Sequence, residues 1–197
     1  MAKRRSETME ENRENLIAAA RKAFAEKGFV AASMDELTAS VGLTRGALYH
    51  NFGDKKGLLA AVVDQIDGEM AQRAKAEASG VVDDWDRLLA EGVAYIKMAL
   101  DPEVQRIVLL DGPAFLGDPA QWPGQLSCLE STRQSIIRML ERGVIKPVDA
   151  AAAAYMLNSA AMSAALWIAA SQDPEKALPD IIAVFTQLAS GLCQRPE

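Results

Sequence analysis

The chain has 197 residues, half of them hydrophobic and 24% charged, with a net charge of −6. That length holds one good core and at most a small second one, and the ordinary globular composition argues against disorder beyond the ends. Its two cysteines, Cys128 and Cys193, stand far apart without ligand-like spacing, which argues against a disulfide framework or a zinc site and fits a reducing cytoplasm.

Charge is unevenly placed. Residues 1–57 carry 10 Lys/Arg against 8 Asp/Glu, a net +2, and residues 58–197 carry 11 against 19, a net −8. A polyanionic partner at one end only is consistent with that asymmetry. The opening "MAKRRSETMEENRENL" has basic residues but no apolar run behind them, so a secretory signal is not expected.

In chain order, Leu16, Ile17, Ala20, Ala23 and Phe24 repeat at helical spacing, and Gly28 is expected to close that helix. Ser33 and Glu36 form an S-x-x-E capping pattern ahead of Leu37 and Val41, and Gly42 ends this second helix. Thr44 caps a third, which stops near Phe52-Gly53. Asp54 caps a fourth, whose apolar positions are Leu58, Leu59, Val62, Val63, Ile66 and Met70. Further on, Asp101-Pro102, Asp118-Pro119 and Asp173-Pro174 each pair an N-cap acid with a proline at the first helical position. Helices are predicted over 85–100, 103–110, 125–141 and 148–171. A last helix runs through Ile181, Ile182, Phe185, Leu188 and Leu192, with Pro179 marking its start, and 111–124 reads as a loop.

No strand is expected. The predicted fold class is all-α: an N-terminal three-helix unit over residues 1–57, then a C-terminal helical bundle over 58–197, joined through a rigid fourth helix rather than a flexible linker. Residues 150–172 carry no formal charge, and the length alone would allow a membrane span. Alanine is barely apolar, however, and Asn158, Ser159 and Ser163 interrupt the run without basic or aromatic anchors at its flanks. A buried small-residue helix of a bundle, with no membrane partner, is the expectation.

Residues 33–52 make a unit of two capped helices around a tight turn, a helix-turn-helix. On its second helix Leu48 and Phe52 lie four apart and face inward, while Arg45, Gly46, Tyr49 and His50 form an outward stripe. Gly46 and Ala47 keep that surface shallow. Arg45, Lys55 and Lys56 sit in first turns, where each cation opposes the helix dipole by about 0.3–1 kcal/mol; a phosphate nearby reverses that sign.

These motifs resemble a known family. "AAARKAFAEKGF" followed by "MDELTASVGLTRGALYHNFGDKKGLL", with its spaced Gly42, Leu43, Thr44, Gly46, Leu48, Tyr49, Phe52, Lys55 and Leu58, is similar to the DNA-binding domain of TetR/AcrR transcriptional regulators. The resemblance implies that Ser33, Thr44, Tyr49 and Lys55 contact phosphates and that Arg45, Gly46, Ala47 and His50 face base edges, Arg45 fitting guanine. Asn51 stands where many members have His or Tyr, and as a DNA contact it fits either a phosphate or a base. His50 is the only histidine, without the companions a metal site or a catalytic base needs, so no enzyme, metal or cofactor is expected.

For the second half the resemblance implies a sensor and dimerisation domain. Tyr95, Met98, Phe115, Trp122, Met139, Asn158 and Met162 are the candidate lining of an effector cavity. The alanine-rich helix and the last helix are the candidate dimer interface. The function implied is a cytoplasmic repressor that binds a palindromic double-stranded DNA operator as a homodimer and is released by a small apolar or amphipathic effector. A ligand-independent regulator or an activator with the same DNA-binding mode is the alternative.

Overall fold

The computed structural model describes residues 2–194. Helix α1 (Ala2–Ala31) is interrupted at Gly28, whose φ of 76° departs from helical values before the chain resumes for nearly one more turn. α2 (Met34–Ser40), α3 (Arg45–Phe52) and α4 (Lys55–Ala78) follow. Their caps are those expected: Ser33 Oγ accepts from the Glu36 N–H, Thr44 Oγ1 from that of Ala47, and Asp54 Oδ1 from that of Gly57. The second half of the capping box is absent, because the Glu36 carboxylate takes Lys27 Nζ at 2.6 Å instead of turning back on its own helix.

α5 (Asp84–Lys97) tightens into a 3-10 turn, Met98–Leu100. The predicted 103–110 helix is a wide π-helix, Val104–Asp111, and the predicted loop at 111–124 is largely structured. It holds α6 (Gly112–Leu116) and a 3-10 turn, Pro119–Gln121. Gly112 and Pro113 look like breakers in sequence, but a proline in the first turn costs no helical hydrogen bond. Gly112 is needed for packing: a Cβ there would lie 2.7 Å from the Trp122 ring. α7 (Pro123–Glu141), α8 (Ala150–Ala169) and α9 (Pro174–Ser190) complete the chain. α9 starts at Pro174, not at Pro179, which lies inside it; Asp173 caps Lys176 and so fixes the earlier start.

Among the described residues there is no strand, only an isolated antiparallel bridge between Ile145 and Cys193. α8 is long and apolar enough to cross a membrane by length and composition. In the fold it packs on α5, α7 and α9, burying Ala153, Ala154, Ala161, Met162, Ala164, Ala165 and Ile168.

One hydrophobic cluster runs from Leu16 and Phe24 through Leu48, Leu58, Ile66 and Met70 to Ile96, Ile107, Ile168 and Phe185. A second gathers Trp85, Ile136, Met139, Ile145, Ala154 and Ala189. The N-terminal helices are thus seated on the same core as the bundle. Two polar ties reinforce that seat. Arg21 reaches Glu69 with Nη1 at 2.7 Å and Glu103 with Nε and Nη2 at 2.8 and 2.7 Å. Asp111 Oδ2 accepts the Phe29 backbone N–H at 2.8 Å, with Arg106 Nε 3.5 Å away.

Candidate nucleic-acid interface

α3 is held from inside and open outside. Leu48 is fully buried, and Phe52 is half-buried with the Arg13 guanidinium 5.3 Å from its ring centroid. Arg45, Gly46, Tyr49 and His50 are exposed, Tyr49 at 50%, so the outward stripe is real. Ser33 and Thr44 spend one lone pair on their caps, which leaves each hydroxyl hydrogen free to meet a phosphate oxygen.

Three of the expected contacts are engaged within the protein. Arg45 is gripped by Asp35 of α2, with Nε 2.5 Å from Oδ1 and Nη2 donating to Oδ2 at 2.9 Å. Asn51 Nδ2 donates to the Ala47 carbonyl at 2.8 Å, so one of its amide hydrogens braces α3. Lys55 Nζ donates to the Val30 carbonyl at 3.2 Å and lies 4.8 Å from the Phe29 ring centroid; burial lowers its pKa. Asp35 carried no signal in a linear reading, since it meets Arg45 across a turn and ten positions away.

A family model described as bacterial regulatory proteins, tetR family, matches residues 16–62, and one described as tetracyclin repressor-like, C-terminal domain, matches residues 85–192. The chain belongs to the TetR family. It is therefore a DNA-binding transcriptional regulator, of a family of regulators rather than enzymes. The crystal structure of a TetR-family transcriptional regulator from Pectobacterium atrosepticum is 45% identical, with a TM-score of 0.86 over 96% of this chain and 98% of that one. The transcriptional repressor AcnR of Corynebacterium glutamicum is 29% identical over 136 residues, 68% of this chain and 69% of the relative. RolR, solved with resorcinol, shares the TetR-family fold at a TM-score of 0.69 and 20% identity, over 98% of each chain.

Within this TetR-family body the expected lining residues separate. Tyr95 and Asn158 line a cavity of about 100 Å³ whose apolar wall includes Trp85, Leu89 and Phe185. Asn158 and Met162 line a neighbouring one of about 260 Å³, and Gln125 faces both. Trp122 lines a third, described below. Met98 packs in the main core, Met139 in the second core, and Phe115 stacks on Phe29 with ring centroids 4.4 Å apart; none of the three lines these cavities.

Asp67 and Gln125 were not anticipated. Gln125 Nε2 donates to Asp67 Oδ1 at 2.7 Å and lies 3.3 Å from the Tyr95 hydroxyl, which itself donates to Met162 Sδ at 3.7 Å. The sequence does hold a signal for Asp67: it occupies the stripe of Leu59, Val63, Ile66 and Met70, where an acid has no business on an ordinary core face.

Proposed function

We propose that the protein is a repressor that holds a palindromic operator as a homodimer and releases it when a small apolar or amphipathic effector enters the cavities around Tyr95, Asn158 and Met162. The observation that carries DNA recognition is the exposed Arg45, Tyr49 and His50 stripe on a helix pinned by Leu48. Residues 1–57 act as the DNA-reading head and 58–197 as the sensor and dimer body. Ser33, Thr44, Tyr49 and Lys55 meet phosphates, and Arg45, Gly46, Ala47 and His50 meet base edges. Asn51 contributes the amide hydrogen that α3 does not use.

The effector acts through α4, which carries cavity walls at Ala71 and Ala74 and enters the head at Lys55. Release requires only that the effector prefer the body shape in which the two α3 helices no longer match the operator, with a coupling of about 1–3 kcal/mol. Lys55 must also leave the Val30 carbonyl to reach DNA, while Arg45 offers the Nη hydrogens that Asp35 does not use.

The test is a salt and mutant series on a palindrome from the protein's own promoter. Affinity should fall as salt rises. Arg45→Ala should relax preference at one base pair by about 1–3 kcal/mol, whereas Tyr49→Phe should weaken all sequences alike. If Arg45→Ala lowers affinity evenly across sequences, Arg45 is a phosphate contact.

A further inference from the structure

Asp67 sits on α4 at 2% exposure, and among the described residues no Lys or Arg pairs with it. Its one hydrogen bond there is the Gln125 amide on Oδ1. A buried carboxylate without a counter-charge is costly to keep in a fold, so its surroundings matter. Asp67 lines a cavity of about 200 Å³ between α4, α6 and the start of α7, together with Asp64, Leu116, Trp122, Pro123 and Gly124. Asp64 is exposed and marks the rim. Gly124 is required beneath Asp67, because a Cβ there would lie 2.3 Å from Oδ2. Trp122, itself 8% exposed, has a buried Nε1 with no hydrogen-bond partner among the described residues. Among the described residues no basic side chain lines the cavity.

We propose that this cavity binds a small organic ammonium ion, with its N–H groups on the Asp67 and Asp64 carboxylates and its alkyl part along the Trp122 ring. The carboxylates repel anions. The aromatic wall favours an organic cation, and among the described residues no group of three or more His, Cys, Asp or Glu side chains is placed to hold a metal ion. The volume limits the guest to about eight non-hydrogen atoms, judged against the benzene-sized hole of about 150 Å³ known in other cores. A hydroxyl on the guest would give Trp122 Nε1 the acceptor it lacks. The site stands independently of operator release, although Gln125 links Asp67 to both larger cavities.

Protonation sets a pH dependence. Burial, reinforced by the neighbouring Asp64 charge and opposed by the Gln125 hydrogen bond, raises Asp67 to about 6. Tyr95 on α5 and Cys128 on α7 are the other titratable groups that sense it, and both are raised by burial, so they stay neutral there. Asp67 is thus ionised above about pH 6 and loses its hold on a cation below it.

The experiment is calorimetric titration of the full-length protein at about pH 7.5 with butylamine and ethanolamine, against butanol and butanoate as neutral and anionic shape controls and MgCl₂ as the metal control. Butylamine should bind saturably, one per chain, with butanol at least about tenfold weaker and butanoate undetectable. Asp67→Asn keeps the shape and should weaken butylamine by about tenfold or more while the helical circular dichroism is unchanged. Moving to about pH 5 should weaken butylamine binding to the parent protein and leave the Asp67→Asn protein unaffected. Equal binding of butanol or butanoate, unaltered binding to Asp67→Asn, Mg²⁺ binding in place of amine, or no saturable heat up to about 100 mM amine overturns the proposal. Amine binding without operator release upholds the site and denies it the effector's role.

Discussion

Arg45 shows how a single ion pair sets the terms of recognition. Its guanidinium is held by two edges of Asp35, and a fork so occupied presents its remaining Nη hydrogens in a fixed direction. On the proposed DNA-binding surface Asp35 would do two opposing things: add a negative charge close to the DNA phosphates, and aim Arg45. Replacing Asp35 with Ala should raise affinity for every sequence while narrowing, by about three- to tenfold, the gap between the operator and a variant changed at the Arg45 base pair. Quantitative binding to both duplexes measures this. An unchanged gap would show that Asp35 only repels and does not orient.

At the scale of elements, the junction of α1, the π-helix and α4 joins head to body. Asp111 accepts the Phe29 N–H, Phe115 packs tilted on the Phe29 ring, Lys55 Nζ lies 4.8 Å from that ring's centroid, and Arg106 lies where a side chain at Gly28 would be. The Asp111 carboxylate is largely buried, so Asp111→Ala strands the Phe29 N–H and should cost about 1–3 kcal/mol in urea unfolding. It should also weaken operator binding, because the head loses a fixed orientation. Stability lost with operator affinity intact would show that the joint is only structural.

This joint also marks what the sequence could convey. The caps at Ser33, Thr44, Asp54 and the three Asp-Pro pairs were legible because each is a contact within three residues. The inward pair Leu48 and Phe52 was legible from helical periodicity. The π-helix, α6 and the Pro179 position were not, since packing of Gly112 on Trp122 and of α9 on the core overrode local breakers. In the same way Met98, Phe115 and Met139 read as cavity lining because apolar residues of a core and of a cavity look alike in one dimension.

For the molecule as a whole, the outer surface of α8 and α9 is the feature that calls for a partner. Tyr155, Met156 and Trp167 on α8 and Val184 and Leu188 on α9 are 52–70% exposed, an apolar display that a lone soluble chain seldom keeps. A two-fold pairing of these helices would cover it, and reading a palindrome would then require the two α3 helices about 34–36 Å apart, one DNA turn. Trp167→Glu with Leu188→Glu should give monomers in light scattering, with helical content kept and operator affinity reduced. A persisting dimer would place the interface elsewhere.

The stripe on α3 carries one more consequence. His50 is the only imidazole in 197 residues and stands exposed beside Tyr49. The proton NMR spectrum of the chain therefore contains a single set of histidine ring resonances, sited on the surface proposed to face DNA. A symmetric dimer on a perfect palindrome keeps that set single, whereas an operator with unequal half-sites splits it in two. The molecule thus contains its own label for asking, without isotopes or dyes, whether both halves of a binding site are read alike.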